Sequence, residues 1–96
     1  MPTIENEQVA QLLRELGKRL SEEGSTFRAR GLAKAADTIA ALQRPISDIW
    51  RRGGLGALTA QRWVGPAVAL WLVELVNSGK IAELERLRRA CFLKRS

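Results

Sequence analysis

The apolar residues of this chain recur every three or four positions, and nowhere do they alternate with polar ones as a half-buried strand requires. Val9, Leu12, Leu13, Leu16 and Leu20 fall at i, i+3, i+4, i+7 and i+11, one stripe along a first amphipathic helix. Asn6, or Thr3 one turn earlier, is placed to cap its start, and Gly24 with Ser25 to end it. Phe27, Leu32, Ala35, Ala36, Ile39 and Leu42 repeat the period in a second helix from about Thr26 that must stop before Pro45. The short connection predicts that these two helices pair antiparallel. Pro45 opens a short helix over 46–52, which Gly53, Gly54 and Gly56 break, and residues 57–61 form another. Val64-Gly65 reads as a tight hairpin, Pro66 as the first residue of a helix to about Ser78, and Gly79 as its left-handed cap. Ile81, Leu84, Leu87 and Phe92 give a last helix with a basic end. The fold class is therefore all-α, a compact bundle of four to six short helices, and 96 residues form one domain, 1–96.

Composition narrows the chemistry. There is no histidine and one cysteine, Cys91, so an internal disulfide and a Ser-His or Cys-His dyad are excluded and a zinc site lacks its usual ligands. Cys91 reads as a packed small hydrophobe. No cofactor is called for, and no carboxylate pair is defensible from spacing; Glu74, in an otherwise apolar helix, reads as a lone surface position. The apolar stretch 64–76 is interrupted by Gly65, Pro66 and Glu74 and falls short of the roughly 20 residues that span a bilayer. With Glu5 and Glu7 early in the chain no signal peptide is read, and a reducing, cytoplasmic setting is expected. The starting methionine and self-contained helix pattern fit a stand-alone domain.

The net charge of +6 is unevenly spread. Residues 24–67 hold seven basic and two acidic side chains, and the tail from 86 holds five basic and none acidic. Such an excess favours a polyanionic partner, first of all nucleic acid. Arg28, Arg30 and Lys34 read as a phosphate-binding face on the second helix, against the plainer reading of a solvated face. Arg51, Arg52 and Arg62 bracket the glycine-rich turn and either grasp a strand or simply flank a loop. Trp50 and Trp71 read as core packing. Trp63, at the hairpin tip, either caps the core or presents an exposed contact for a protein partner. The tail, 86–96, reads as a fraying, solvated helix end.

Asn6-x-x-Val9-Ala10-x-x-Leu13, Phe27-Arg28-Ala29-Arg30 leading to Ala35-Ala36, and Val64-Gly65-Pro66-Ala67-Val68-Ala69 followed by Leu75 and Ser78-Gly79-Lys80 occur in an order and spacing that resemble the small N-terminal domain of family-X DNA polymerases, such as DNA polymerase beta. The resemblance runs from Asn6 to Leu87 and implies a helix-hairpin-helix at about 55–79. In that motif a Gly-hydrophobic-Gly turn lets backbone N–H groups of Val64, Gly65 and Ala67 approach a DNA phosphate. The chain departs from the pattern. Trp63 stands at the first hairpin glycine, and Pro66 removes one N–H from the turn. The family's lyase lysine corresponds to Trp71, and its helping tyrosine to Leu32, so no lyase activity is expected. Lys34 and Lys80 lie outside the helix that would carry Schiff-base chemistry. The resemblance implies a non-catalytic module that binds DNA through phosphates, without sequence preference, at gapped duplexes or single-stranded ends, as an accessory to repair or processing. The alternative is a protein-interaction or dimerisation module that kept the fold and lost DNA binding.

Overall fold

In the computed structural model, which describes residues 6–95, with side chains through residue 90, the first apolar stripe is buried as its period predicts. Helix α1, Asn6–Glu22, buries Val9, Leu13, Leu16 and Leu20 together with Ala10 and Gly17. Helix α2, Thr26–Ala40, buries Leu32, Ala35, Ala36 and Ile39. The two pack against each other more extensively than any other pair of helices. Their backbones come close at Gly17, where an added Cβ would lie 3.3 Å from the Ala29 carbonyl oxygen and 3.3 Å from the Leu32 Cβ. Gly24, at φ 97°, ends α1 as expected. Helices α3, Ile46–Thr59, α4, Pro66–Ser78, and α5, Ala82–Arg95, complete the all-α fold, and no strand occurs among the described residues. No helix of the described residues is long and apolar enough to cross a membrane.

Three expectations change on contact with the structure. Phe27 does not join the buried stripe of α2 but stands 91% exposed. Five residues before Leu32, it sits about 140° around the helix from it, and in the first turn no other helix covers it. Asn6 does not cap its own helix. Its amide donates to the Arg44 carbonyl at 2.7 Å and its side-chain oxygen accepts from the Ile46 N–H at 2.8 Å, so it caps α3 and fixes the α2–α3 loop against α1. Thr3, the other candidate cap, lies outside the described residues, as do the side chains of Cys91 and Phe92. As the glycine run predicts, α3 is two helical segments that meet at a break, which falls at Gly54 (φ 67°, ψ −157°), while Gly53 and Gly56 stay helical. Glu74 is not a lone surface carboxylate: its Oε2 accepts from the Ala82 N–H at 2.7 Å and caps α5.

The basic tail is also more structured than a fraying end. Arg88 of α5 donates to both carboxylate oxygens of Glu15 on α1, with the Nε contact at 2.6 Å, and its Nη1 reaches Glu85 at 3.2 Å. Arg86 pairs with Glu83 and approaches Glu23. Ile81, Leu84 and Leu87 are buried beneath these pairs, so α5 is held to the bundle by apolar burial and by charge. The Arg88 guanidinium beside Glu15, aided by Arg19 and opposed by burial, holds the Glu15 carboxyl down to about 2. Because this folded-state value lies below the ordinary 4.5, the contribution to stability is complete above about pH 4.5 and is lost as the pH falls towards 2. Glu15→Gln is therefore expected to lower stability at pH 7 by about 1–2 kcal/mol, a figure reduced for the carboxylate's partial exposure. Urea unfolding of variant and parent should converge near pH 2, and a difference that persists there would place its origin outside this ion pair.

Candidate nucleic-acid interface

The kink at Gly54 turns the second half of α3 so that Leu58 is fully buried, and the chain then reverses over residues 60–65 into α4. This is a helix, a tight turn and a second helix. Inside the turn the Val64 N–H donates to the Gln61 carbonyl at 3.1 Å, and the Val64 side chain is 4% exposed, plugging the hairpin into the core. Val64 thus leaves the expected set of phosphate donors: its N–H is engaged and its side chain buried. Gly65 is the extended N-cap of α4 with no side-chain cap, and Pro66 at the first helical position has no N–H. Gly65, Ala67 and Val68 keep N–H groups that no preceding turn of helix can accept, and these point out from the positive end of α4.

Trp63 occupies the left-handed region at φ 69°, the only non-glycine residue to do so among the described residues. The hairpin thus keeps the backbone shape that a glycine would supply and imposes it on a tryptophan, at a cost of about 1–3 kcal/mol. The indole is 49% exposed, and the Lys34 ammonium of α2 sits 4.1 Å from its ring centroid. This contact resolves the two readings of Trp63: it is a partly exposed residue at the tip, sandwiched against a cation rather than sunk in the core. Trp50 and Trp71 pack half-buried against the core, as their spacing predicts.

The predicted basic residues separate into free and engaged groups. Arg28, Arg30, Lys34, Arg51 and Arg62 are exposed, and none has a carboxylate partner among the described residues. Lys34 lies at the hairpin, whereas Arg30 borders the groove between α1 and α2 beside Arg14 and Lys18. Arg52 is held by Asp48 at 3.3 Å, and with Arg44 it borders an open cleft of about 540 Å³ between the α2–α3 loop and the first hairpin helix. Arg44, chiefly, and Arg52 keep the Asp48 carboxyl below its ordinary value. The tail's Arg86 and Arg88 are consumed by the α5 ion pairs described above. Two of the five basic residues of the tail are therefore turned inward to hold the fold, while Arg28, Arg30 and Lys34 on α2, Arg51 on α3 before its kink and Arg62 at the hairpin keep their charge unpaired among the described residues. No spacing rule links residue 34 to residue 63 or residue 15 to residue 88, so these pairings had no signal in the sequence.

The fold is thus all-helical, with a helix, a tight turn and a second helix, and with the Lys34 cation against Trp63 at the turn. A family model for the helix-hairpin-helix domain matches residues 4–81, and the chain belongs to that family. Helix-hairpin-helix domains generally bind DNA. A search of curated proteins found no match.

Proposed function

We propose that this chain is a non-catalytic DNA-binding module that contacts the phosphate backbone without sequence preference, at gapped duplexes or single-stranded ends, and serves DNA repair or processing inside the cell. One observation carries the reading: Arg28, Arg30, Lys34, Arg51 and Arg62 are exposed and without carboxylate partners among the described residues, while six other arginines are spent on ion pairs within the fold. Positive charge left unpaired at a surface is what a polyanion collects. The resemblance to the N-terminal domain of family-X polymerases supports the context. The absence of a lyase rests on Trp71 standing in the position of the Schiff-base lysine, half-buried against the core, and on Lys34 and Lys80 both being exposed rather than enclosed in the dry pocket that activates an amine.

The test is fluorescence anisotropy of a labelled gapped duplex from low to physiological salt. Binding is expected at low salt and should weaken linearly in log–log form, with a slope of about −0.9 for each phosphate neutralised. Absence of binding even at low salt would remove the proposal. A second reading has its own support, because Phe27, Leu55, Trp63 and Leu70 are exposed large apolar side chains that a protein partner or second copy would cover. An association of that kind would be nearly indifferent to salt.

A further inference from the structure

The hairpin has lost part of its backbone grip twice over: Pro66 carries no N–H, and the Val64 N–H is engaged by Gln61. At the same turn it carries a tryptophan where the backbone favours glycine, and that tryptophan holds a lysine from another helix. A free lysine is a point charge on a flexible four-carbon stem, and it gives up considerable rotamer freedom to stay in one place. The electron-rich face of the Trp63 indole, 4.1 Å from the Lys34 nitrogen, restrains that stem by attraction. Lys34 remains exposed and has no carboxylate partner among the described residues, so ammonium protons not directed at the ring stay available.

Resting on the DNA-binding reading above, we propose that Trp63 is a positioning residue that holds Lys34 at the hairpin tip, where the two form a side-chain phosphate site in place of the missing backbone donors. The left-handed tryptophan is retained because its ring aims a cation, and the family's usual reliance on neutral N–H groups is exchanged here for a charge-based contact. That exchange gives the hairpin a salt dependence that backbone donors alone would not supply.

Trp63→Gly is the variant that separates a backbone grip from a side-chain one. This change restores the Gly-hydrophobic-Gly pattern and relaxes the backbone, yet it should weaken binding to a gapped duplex about three- to tenfold at low salt and make the salt slope shallower by about 1. Trp63→Phe, which keeps an aromatic face, should stay near the parent. Lys34→Gln should reproduce the loss, and adding Trp63→Gly to it should cost nothing more. Independently of DNA, the Lys34 side-chain protons should show an upfield ring-current shift in NMR spectra that disappears in Trp63→Gly, with circular dichroism showing that the variant is folded. Binding by Trp63→Gly equal to or tighter than the parent, losses that add in the double variant, or no ring-current shift would each overturn the proposal while leaving DNA binding in place. Failure of the unaltered protein to bind at low salt would instead overturn the reading on which it rests.

Discussion

Replacing Gly54 with alanine is expected to destabilise the domain by about 2–3 kcal/mol, lowering the melting temperature by roughly 10–20 °C. At φ 67° and ψ −157° its backbone lies in a region that essentially only glycine occupies. An added Cβ would meet nothing within 4 Å, so the whole cost is conformational and no repacking can relieve it. Two residues on, Gly56 is helical and also opens onto empty space, so Gly56→Ala should stabilise by about 0.5–1 kcal/mol. Opposite signs from the same substitution two positions apart, read in thermal melts, would establish the kink as an obligatory feature. If Gly54→Ala melted like Gly56→Ala, α3 would be able to run straight, and the kink would not be what turns Leu58 into the core and aims the chain at the hairpin.

Changing Arg28, Arg30 and Lys34 together to alanine is expected to weaken binding to a gapped duplex roughly 100-fold at low salt and to reduce the magnitude of the salt slope by about 2.7, one counterion term for each lost phosphate contact. Stability should hardly move. All three are exposed on α2, none has an ion pair among the described residues, and alanine is a better helix former than any of them. The melting curve therefore controls for unfolding in the same sample. Arg52→Ala is the comparison, because Arg52 is already held by Asp48 and should lose much less affinity. An unchanged slope in the triple variant would move the anion-binding surface off α2 and favour the exposed apolar residues as the working face of the molecule.

Much of the architecture was legible in the sequence because helices obey local rules. A side chain's face is set by its neighbours three and four residues away, so the stripe from Val9 to Leu20, the first position of Pro66 and the left-handed caps at Gly24 and Gly79 could all be read without knowing what packs on what. The same rule explains where the reading failed: Phe27 precedes Leu32 by five residues, a spacing that leaves the buried stripe, and exposure follows. Spacing also could not rank the three glycines of α3, since only the backbone angles single out Gly54.

The candidate interface was legible as a collection of residues but not as a site. Its charges, its hairpin and its odd tryptophan were all visible, and a helix-hairpin-helix was recognisable from their order. Which charges are free was not, because ion pairing between helices depends on how their axes dock. Arg88 meets Glu15 across 73 residues and Asn6 reaches Ile46 across 40, and neither separation follows any periodicity. The sequence by itself determined the helices, their buried faces and the total of +6. Only the tertiary structure decided that the tail's Arg86 and Arg88 are spent holding α5 in place, that Val64 is a plug, and that Lys34 lies on Trp63, because each is set by the meeting of elements far apart in the chain rather than by one turn of backbone.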